Sequence, residues 1–381
     1  MAFQNVSKPR FYINVIEWLD TLGMTTGVST YGEYILSSGI DGVNNISMDI
    51  WRTLSASTKN TRIIIPYDPN KQFISFPIQQ VSYDTVIGKK GFVAYLGHNF
   101  ASIPGDFKIW AQCYIDQDGG EVSAYINNKD GIVNWGGTHF IPIEYDGFSI
   151  STGDYSAVTQ MPSTEPNHGK ILYQAPSGYY SYLQLNSIVV GSYYDMDAPN
   201  LSLTLSREYG GTKEFTSYNG SSFSNTFWSN PPSWGGYGSW ELHDGSEESR
   251  ALQSFSRSGR RVWQLSWSFM DDGKLWGSNQ SLSFDEYINE ISGVDTDDLE
   301  NGAYKYNILT DPNFFSQVWH RTLGGTIPFI FQADSVDTDD LESGNNNPDQ
   351  FAICRIRENS LKATQTAFNV YDISLTIEEV W

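Results

Sequence analysis

The chain has 381 residues, 23 of them basic and 44 acidic, for a net charge of −21. Hydrophobic residues make up 39% and aromatics 15% (23 Tyr, 21 Phe, 12 Trp), which excludes a disordered chain and favours strands and interfaces. Tight nucleic-acid binding needs positive charge to neutralise phosphates, so this balance argues against DNA or RNA as a bound partner.

The length predicts two or three domains. The acidity reads either as solubility and adaptation to salt water, or as a wall that DNA passes without adhering. Cys113 and Cys354 are the two cysteines. They make neither a disulfide framework nor a zinc site, and read as free buried thiols. The first residues, Met1-Ala-Phe-Gln-Asn-Val-Ser7, lack the charged-then-apolar pattern of a signal peptide. No run approaches the ~18 apolar residues of a membrane span.

Residues 1–26 read as a separate N-terminal segment. Within it Phe11-Tyr-Ile-Asn-Val-Ile-Glu-Trp-Leu19 is apolar and ends near Gly23. It fits a short helix or a docking strand. From 27 to about 195 the signals are short strands broken by turns, as in a β-sandwich or barrel. Thr61–Ile65 reads as a buried strand closed by Pro66, and Gly91–Gly97 as another. Asp106–Gln112 alternates, with Phe107, Ile109 and Ala111 on one face. Residues 151–178, rich in Ser, Thr, Pro and Gly, read as a long surface loop. Strand character returns from Tyr179 to Tyr194.

Asp195-Met-Asp-Ala-Pro199 reads as the junction to a second domain, 196–381. Leu201, Leu203 and Leu205 alternate with polar residues in its first strand. Residues 219–250 form a Gly-, Ser- and Trp-rich excursion around Phe227-Trp-Ser-Asn-Pro-Pro-Ser-Trp-Gly-Gly-Tyr-Gly-Ser-Trp240. It holds too much Gly and Pro for regular structure and too many aromatics for a bare linker. Trp228, Trp234, Tyr237 and Trp240 are therefore the expected interface residues. Arg260–Phe269 alternates, placing Trp263, Leu265, Trp267 and Phe269 on one face.

One helix is marked near 312–323. Asp311 is its expected cap, Pro312 suits its first turn, and Gly324-Gly325 ends it. The last eleven residues, Tyr371–Trp381, have the period of a half-buried strand, with Tyr371, Ile373, Leu375 and Ile377 on one side. This is the expected closing strand of the second domain. The fold class is thus mainly β: two β-sandwich or barrel domains with one or two short helices.

Val294-Asp-Thr-Asp-Asp-Leu-Glu300 recurs as Val336-Asp-Thr-Asp-Asp-Leu-Glu342. Asp295, Asp297, Asp298, Asp337, Asp339 and Asp340 offer oxygens that suit Ca²⁺, the one cofactor the sequence suggests. The central Gly and distal Glu of an EF-hand loop are missing, and solvated acidic loops are the competing reading. The five histidines are scattered, and His98 is expected to make a local turn bond with Asn99. No nucleophile elbow, phosphate loop or dinucleotide fingerprint occurs. Carboxylate pairs abound in any acidic β protein, so no catalytic residue is assigned and the chain is not read as an enzyme. Tryptophans 228, 234, 240 and 276 are expected to be exposed. They would stack on sugars or pack in interfaces.

Several segments together resemble virion structural proteins of tailed bacteriophages, especially marine phages. Phe92-Val-Ala-Tyr-Leu-Gly-His-Asn-Phe100, with the strand that follows, is similar to a Leu-Gly-His-Asn signature of galactose-binding-like sandwiches in phage tail proteins. Gly191–Ser206 looks like the exit from that sandwich. Gly259–Phe269, Leu323–Gln332, Pro348–Cys354 and Tyr371–Trp381 resemble a C-terminal tail-type β domain. The resemblance runs from about residue 90 to the end. It implies a tail-tip, baseplate or tail-ring component without catalysis, made in the host cytoplasm and located in the virion. Its partners would be copies of itself and other virion proteins. The alternative reading is a carbohydrate-binding adhesin or capsid decoration, in which the Trp-rich loops and the loops of the first sandwich contact host glycans.

Overall fold

A computed structural model describes residues 5–23, 90–98, 147–150, 152, 187–208, 213–225, 259–279, 308–335 and 350–380 in full, with the backbone of further strands. The fold is mainly β. Its centre is a ten-stranded sheet of β1 (Arg10–Asn14), β2 (Gly91–His98), β3 (Gly147–Gly153), β4 (Ser187–Asp195), β5 (Thr204–Glu208), β6 (Arg260–Asp271), β7 (Phe329–Gln332), β8 (Phe351–Ile356), β9 (Ala363–Ala367) and β10 (Val370–Glu379). The order is β5-β6-β10-β8-β7-β1-β4-β2-β3, with β9 paired to β10 and every neighbour antiparallel. A six-stranded sheet runs Val43–Ser47, Tyr31–Leu36, Gln72–Ser75, Lys170–Gln174, Lys108–Tyr114, Glu121–Asn128. Lys170–Gln174 lies inside the expected loop 151–178. It pairs on both sides, and its Ile171-Leu-Tyr173 is the apolar signal that the surrounding Pro and Gly obscured.

The central strands are buried on both faces, so they carry apolar residues at consecutive positions. Phe11, Ile13, Phe329, Phe331, Ala352 and Cys354 belong to one core. Their neighbours Tyr12, Ile330, Phe351 and Ile353 belong to a second, with Phe92, Ala94, Leu96 and Val189. Strands near the β10 end bury only one face and alternate. In β10, Ile373, Leu375 and Ile377 are buried as the period predicts.

The Phe11–Leu19 segment is both strand and helix. β1 runs directly into α1 (Val15–Thr21), where Asn14 Oδ1 accepts from Glu17 N at 3.2 Å and Asn14 Nδ2 donates to Glu17 Oε2 at 3.1 Å. This reciprocal cap starts the helix, and Gly23 at φ +72° ends it. β1 lies between β7 and β4, so the sheet combines strands from residues 1–26, 27–195 and 196–381. The expected junction at Asp195–Pro199 is pinned down within this frame. Met196 N bonds Pro9 O, and Trp267 Nε1 donates to Asp197 O at 2.7 Å. Arg10 and Lys90 both pair with Asp195. Burial works against the Asp195 carboxylate, but those two cations outweigh it and hold its pKa below the usual range.

The helix expected near 312–323 is a π-helix over Phe315–Trp319, continued by turns. His320 N and Gly324 N bond carbonyls five residues back, at Phe315 and Trp319. Asn313 supplies the oxygen near its start, accepting from Ser316 N at 2.9 Å. Asp311, the expected cap, instead holds Ser278 through N and Oγ. Phe314, just before the π-helix, is fully buried, and Gly324 and Gly325 both take positive φ as expected of a stop.

Candidate assembly surface

Among the described residues, the most exposed region of regular structure begins where β4 leaves the core. Among the described residues of 201–225, only Leu203, Leu205 and Ser217 are even half-buried. Leu201, expected on the inner face with Leu203 and Leu205, points fully into solvent. β5 has one neighbour among the described strands, β6, and its residues are mostly exposed. After Tyr209 the chain enters a two-stranded ribbon, Gly210–Thr216 against Ser222–Trp228. The ribbon turns at Ser217–Ser221, where Ser217 N bonds Ser221 O and Gly220 takes φ +82°. Phe215 and Phe223 sit directly opposite each other, 59% and 61% exposed, and Tyr218 at the tip is fully exposed.

A two-stranded ribbon with both faces in water is marginal in isolation. Its aromatic side chains add nothing to stability while they stay in water, because only apolar area removed from water contributes, at ~25 cal/mol per Å². Charge sets this stretch apart as well. Residues 201–225 carry Arg207 and Lys213 against Glu208 and Glu214, for no net charge on a chain of −21.

A second exposed aromatic group lies at the far end of β6. A bulge between Trp267 and Met270 shifts the register against β10. Trp263, Leu265 and Trp267 are buried as the alternation predicts, but Met270 takes the next inward place. Phe269, expected inward, is turned out and 78% exposed. It sits at φ 59°, a left-handed conformation that bulky residues rarely adopt. Asp372 Oδ1 fixes this geometry by accepting from Phe269 N at 2.8 Å. Phe368, in the turn between β9 and β10, is 88% exposed at the same end of the sheet, where Asp272 N bonds Asn369 O. Beside it, Glu358, Ser360, Lys362, Asp372 and Ser374 line an open groove of about 610 Å³.

The sequence-derived candidates fall around and beyond these features. Trp228 closes the ribbon opposite Gly210. Trp234 and Tyr237 pair across Gly235-Gly236 in a short ladder with Ser233–Gly238. This is regular structure in a stretch whose Gly and Pro content predicts none. Trp240 and the six aspartates 295, 297, 298, 337, 339 and 340 lie outside the described residues. Trp276, expected exposed, is half-buried and packs its ring against Phe315 and Tyr371 at 5.7 and 6.4 Å. It lines a groove of about 410 Å³ with Asp272, Asp311 and Asn313. The exposed phenylalanines and the ribbon were missed, because strand alternation alone does not reveal a bulge or a missing layer.

The polar groups in the sheet are structural. His98 is fully buried, with Nε2 2.9 Å from Ser149 Oγ and a backbone bond to Phe148. Its expected partner Asn99 lies outside the described residues. Burial pushes the His98 pKa down to about 3, so it is neutral at pH 7. Arg261 and Glu379 form a buried pair, with Nη2 to Oε1 at 3.0 Å, Nε to Oε2 at 3.3 Å, and Arg261 Nη2 on Phe351 O at 2.7 Å. Cys354 is buried, and burial raises its thiol pKa, which makes it unreactive. No helix among the described residues is long and apolar enough to cross a membrane. Among them no group of three or more metal-ligating side chains converges. No known protein family, curated protein or solved structure matches the chain.

Proposed function

We propose that this chain is a structural component of a bacteriophage tail, at the tail tip, the baseplate or a tail-associated ring. It acts as a symmetric homo-oligomer in contact with other virion proteins, and it needs no chemistry. The observation that carries this reading is the 201–225 stretch: regular strands, exposed aromatics and no net charge on a strongly acidic chain. Such a stretch gains its stability when another subunit covers it. Acidic copies approach with least repulsion where each carries no net charge. The ten-stranded frame, tied together by residues far apart in sequence, suits a rigid repeated part. The resemblance of the segments from residue 90 onward to phage tail proteins supplies the setting.

The test is immunogold labelling of virions, or a particle reconstruction, that places the protein. Label confined to the tail supports the proposal. Label on the capsid, or none on the particle, overturns it.

A further inference from the structure

We infer that the exposed ribbon of one copy docks on the Leu201–Phe269–Phe368 end of a second copy, joining subunits head to tail. This rests on the reading of the chain as a self-assembling subunit and names the two surfaces that meet. The geometry separates them along β6. Glu208 pairs with Arg260 at one end of that strand, and the ribbon begins two residues later. Phe269 lies nine residues along β6, roughly 30 Å away at about 3.3 Å per residue. The ribbon is exposed on both faces over 213–225 except at Ser217, so it is not folded back along its own sheet. Each copy therefore carries an aromatic projection at one end and an aromatic platform at the other. Among the described residues, nothing covers either one.

The platform is enforced. Phe269 would bury its ring if β6 kept its alternation, yet the bulge turns it outward, at a left-handed φ held by Asp372. Strain of this kind is retained where the surrounding structure over-determines it, and it clusters at functional sites. Leu201 stands fully exposed close by, since Asn200 N bonds Ser266 O and its side chain bonds Ser266 and Ser268. A second copy fits because each copy carries both an exposed aromatic ribbon and an exposed aromatic platform. The ribbon's one Lys and one Glu cancel, so an acidic neighbour meets no added repulsion there. The size is close as well: a stable contact takes about 20–30 residues per side, and the ribbon from Gly210 to Trp228 spans 19. Two different surfaces meeting make a heterologous contact, which closes into a ring or runs on as a filament.

The test uses the purified full chain and two variants, with mass measured by light scattering after gel filtration. One variant loses the ribbon surface (Phe215→Ser, Tyr218→Ser, Phe223→Ser). The other loses the platform (Phe269→Asn, Phe368→Ser). All five side chains are exposed, and Asn tolerates positive φ, so folding is preserved and is checked by thermal melting. The expected result is an oligomeric wild type and at least about ten-fold weaker self-association for each variant alone. An equimolar mixture of the two then forms a dimer and nothing larger, because one intact ribbon meets one intact platform. An oligomer that survives in both variants, or a mixture that stays as monomeric as its components, overturns the docking while leaving self-assembly standing. A monomeric wild type overturns both.

Discussion

The buried His98 makes stability depend on pH in a way that can be worked out from its surroundings. Unfolding exposes the imidazole and returns its pKa to about 6.5, whereas burial in the fold holds it at about 3. Below pH 6.5 the unfolded chain takes up a proton that the folded chain refuses. Stability from this group is therefore fully present above the unfolded pKa. It is lost as pH falls through 6.5, and the loss continues down to about pH 3. At pH 5 the gap amounts to about 2 kcal/mol relative to pH 7, at about 1.4 kcal/mol per pH unit. His98→Gln removes this dependence, at a cost that does not vary with pH because the Ser149 bond is disturbed at every pH. Urea unfolding at pH 7 and pH 5 should show the wild type losing about 2 kcal/mol more than the variant over that interval. His320, half-buried and lowered by burial and by Arg321, is common to both proteins and cancels. Equal losses in the two proteins, or a His98 ring signal that titrates near pH 6.5, would refute the reasoning.

Three further outcomes test the frame. Glu379→Gln leaves the buried Arg261 guanidinium without its carboxylate, and chemical denaturation should show a loss of about 3–5 kcal/mol. A Cβ at Gly191 would collide with the carbonyl oxygen of Ile13 on the paired strand, so Gly191→Ala should cost about 1–3 kcal/mol or more by the same assay. Deleting Tyr371–Trp381 removes a strand paired to β6, β8 and β9 and uncovers Ile373, Leu375 and Ile377, worth about 1.5–3 kcal/mol each. That total rivals the ~5–15 kcal/mol stability of a whole domain, so circular dichroism of the truncated chain should show no cooperative unfolding.

The sequence is most legible where one periodicity acts alone. In β10 the alternation of Ile373, Leu375 and Ile377 matches their burial residue for residue. The same rule holds in β6 through Trp267 and then fails at Phe269, because a bulge adds a residue and reverses every later side chain. Phe11–Leu19 gave no single period because a doubly buried strand runs straight into a capped helix. The membership of one sheet by residues 1–26, 27–195 and 196–381 was not legible at all. Pairings such as Arg10–Asp195 and Phe11–Phe331 join positions far apart in sequence, and no local pattern encodes them. The exposed ribbon escaped notice for the opposite reason. Phe215, Tyr218 and Phe223 look like core residues in a string of letters, and only the missing layer over them shows otherwise.

The two exposed aromatic groups differ in what holds them outward, and that difference bears on how the subunit works. The ribbon is exposed because nothing in the described chain packs on it, so covering it gains apolar burial with little rearrangement. Phe269 is exposed because its backbone is held left-handed, at a standing cost of about 1–2 kcal/mol to the isolated subunit. A residue free to change would relieve that cost as Gly or Asn. An outward phenylalanine at such a place makes sense when a contact formed after folding returns more than the strain. In the proposed docking the ribbon is the half that gains apolar burial, and the Phe269 bulge is the half whose backbone Asp372 holds in place.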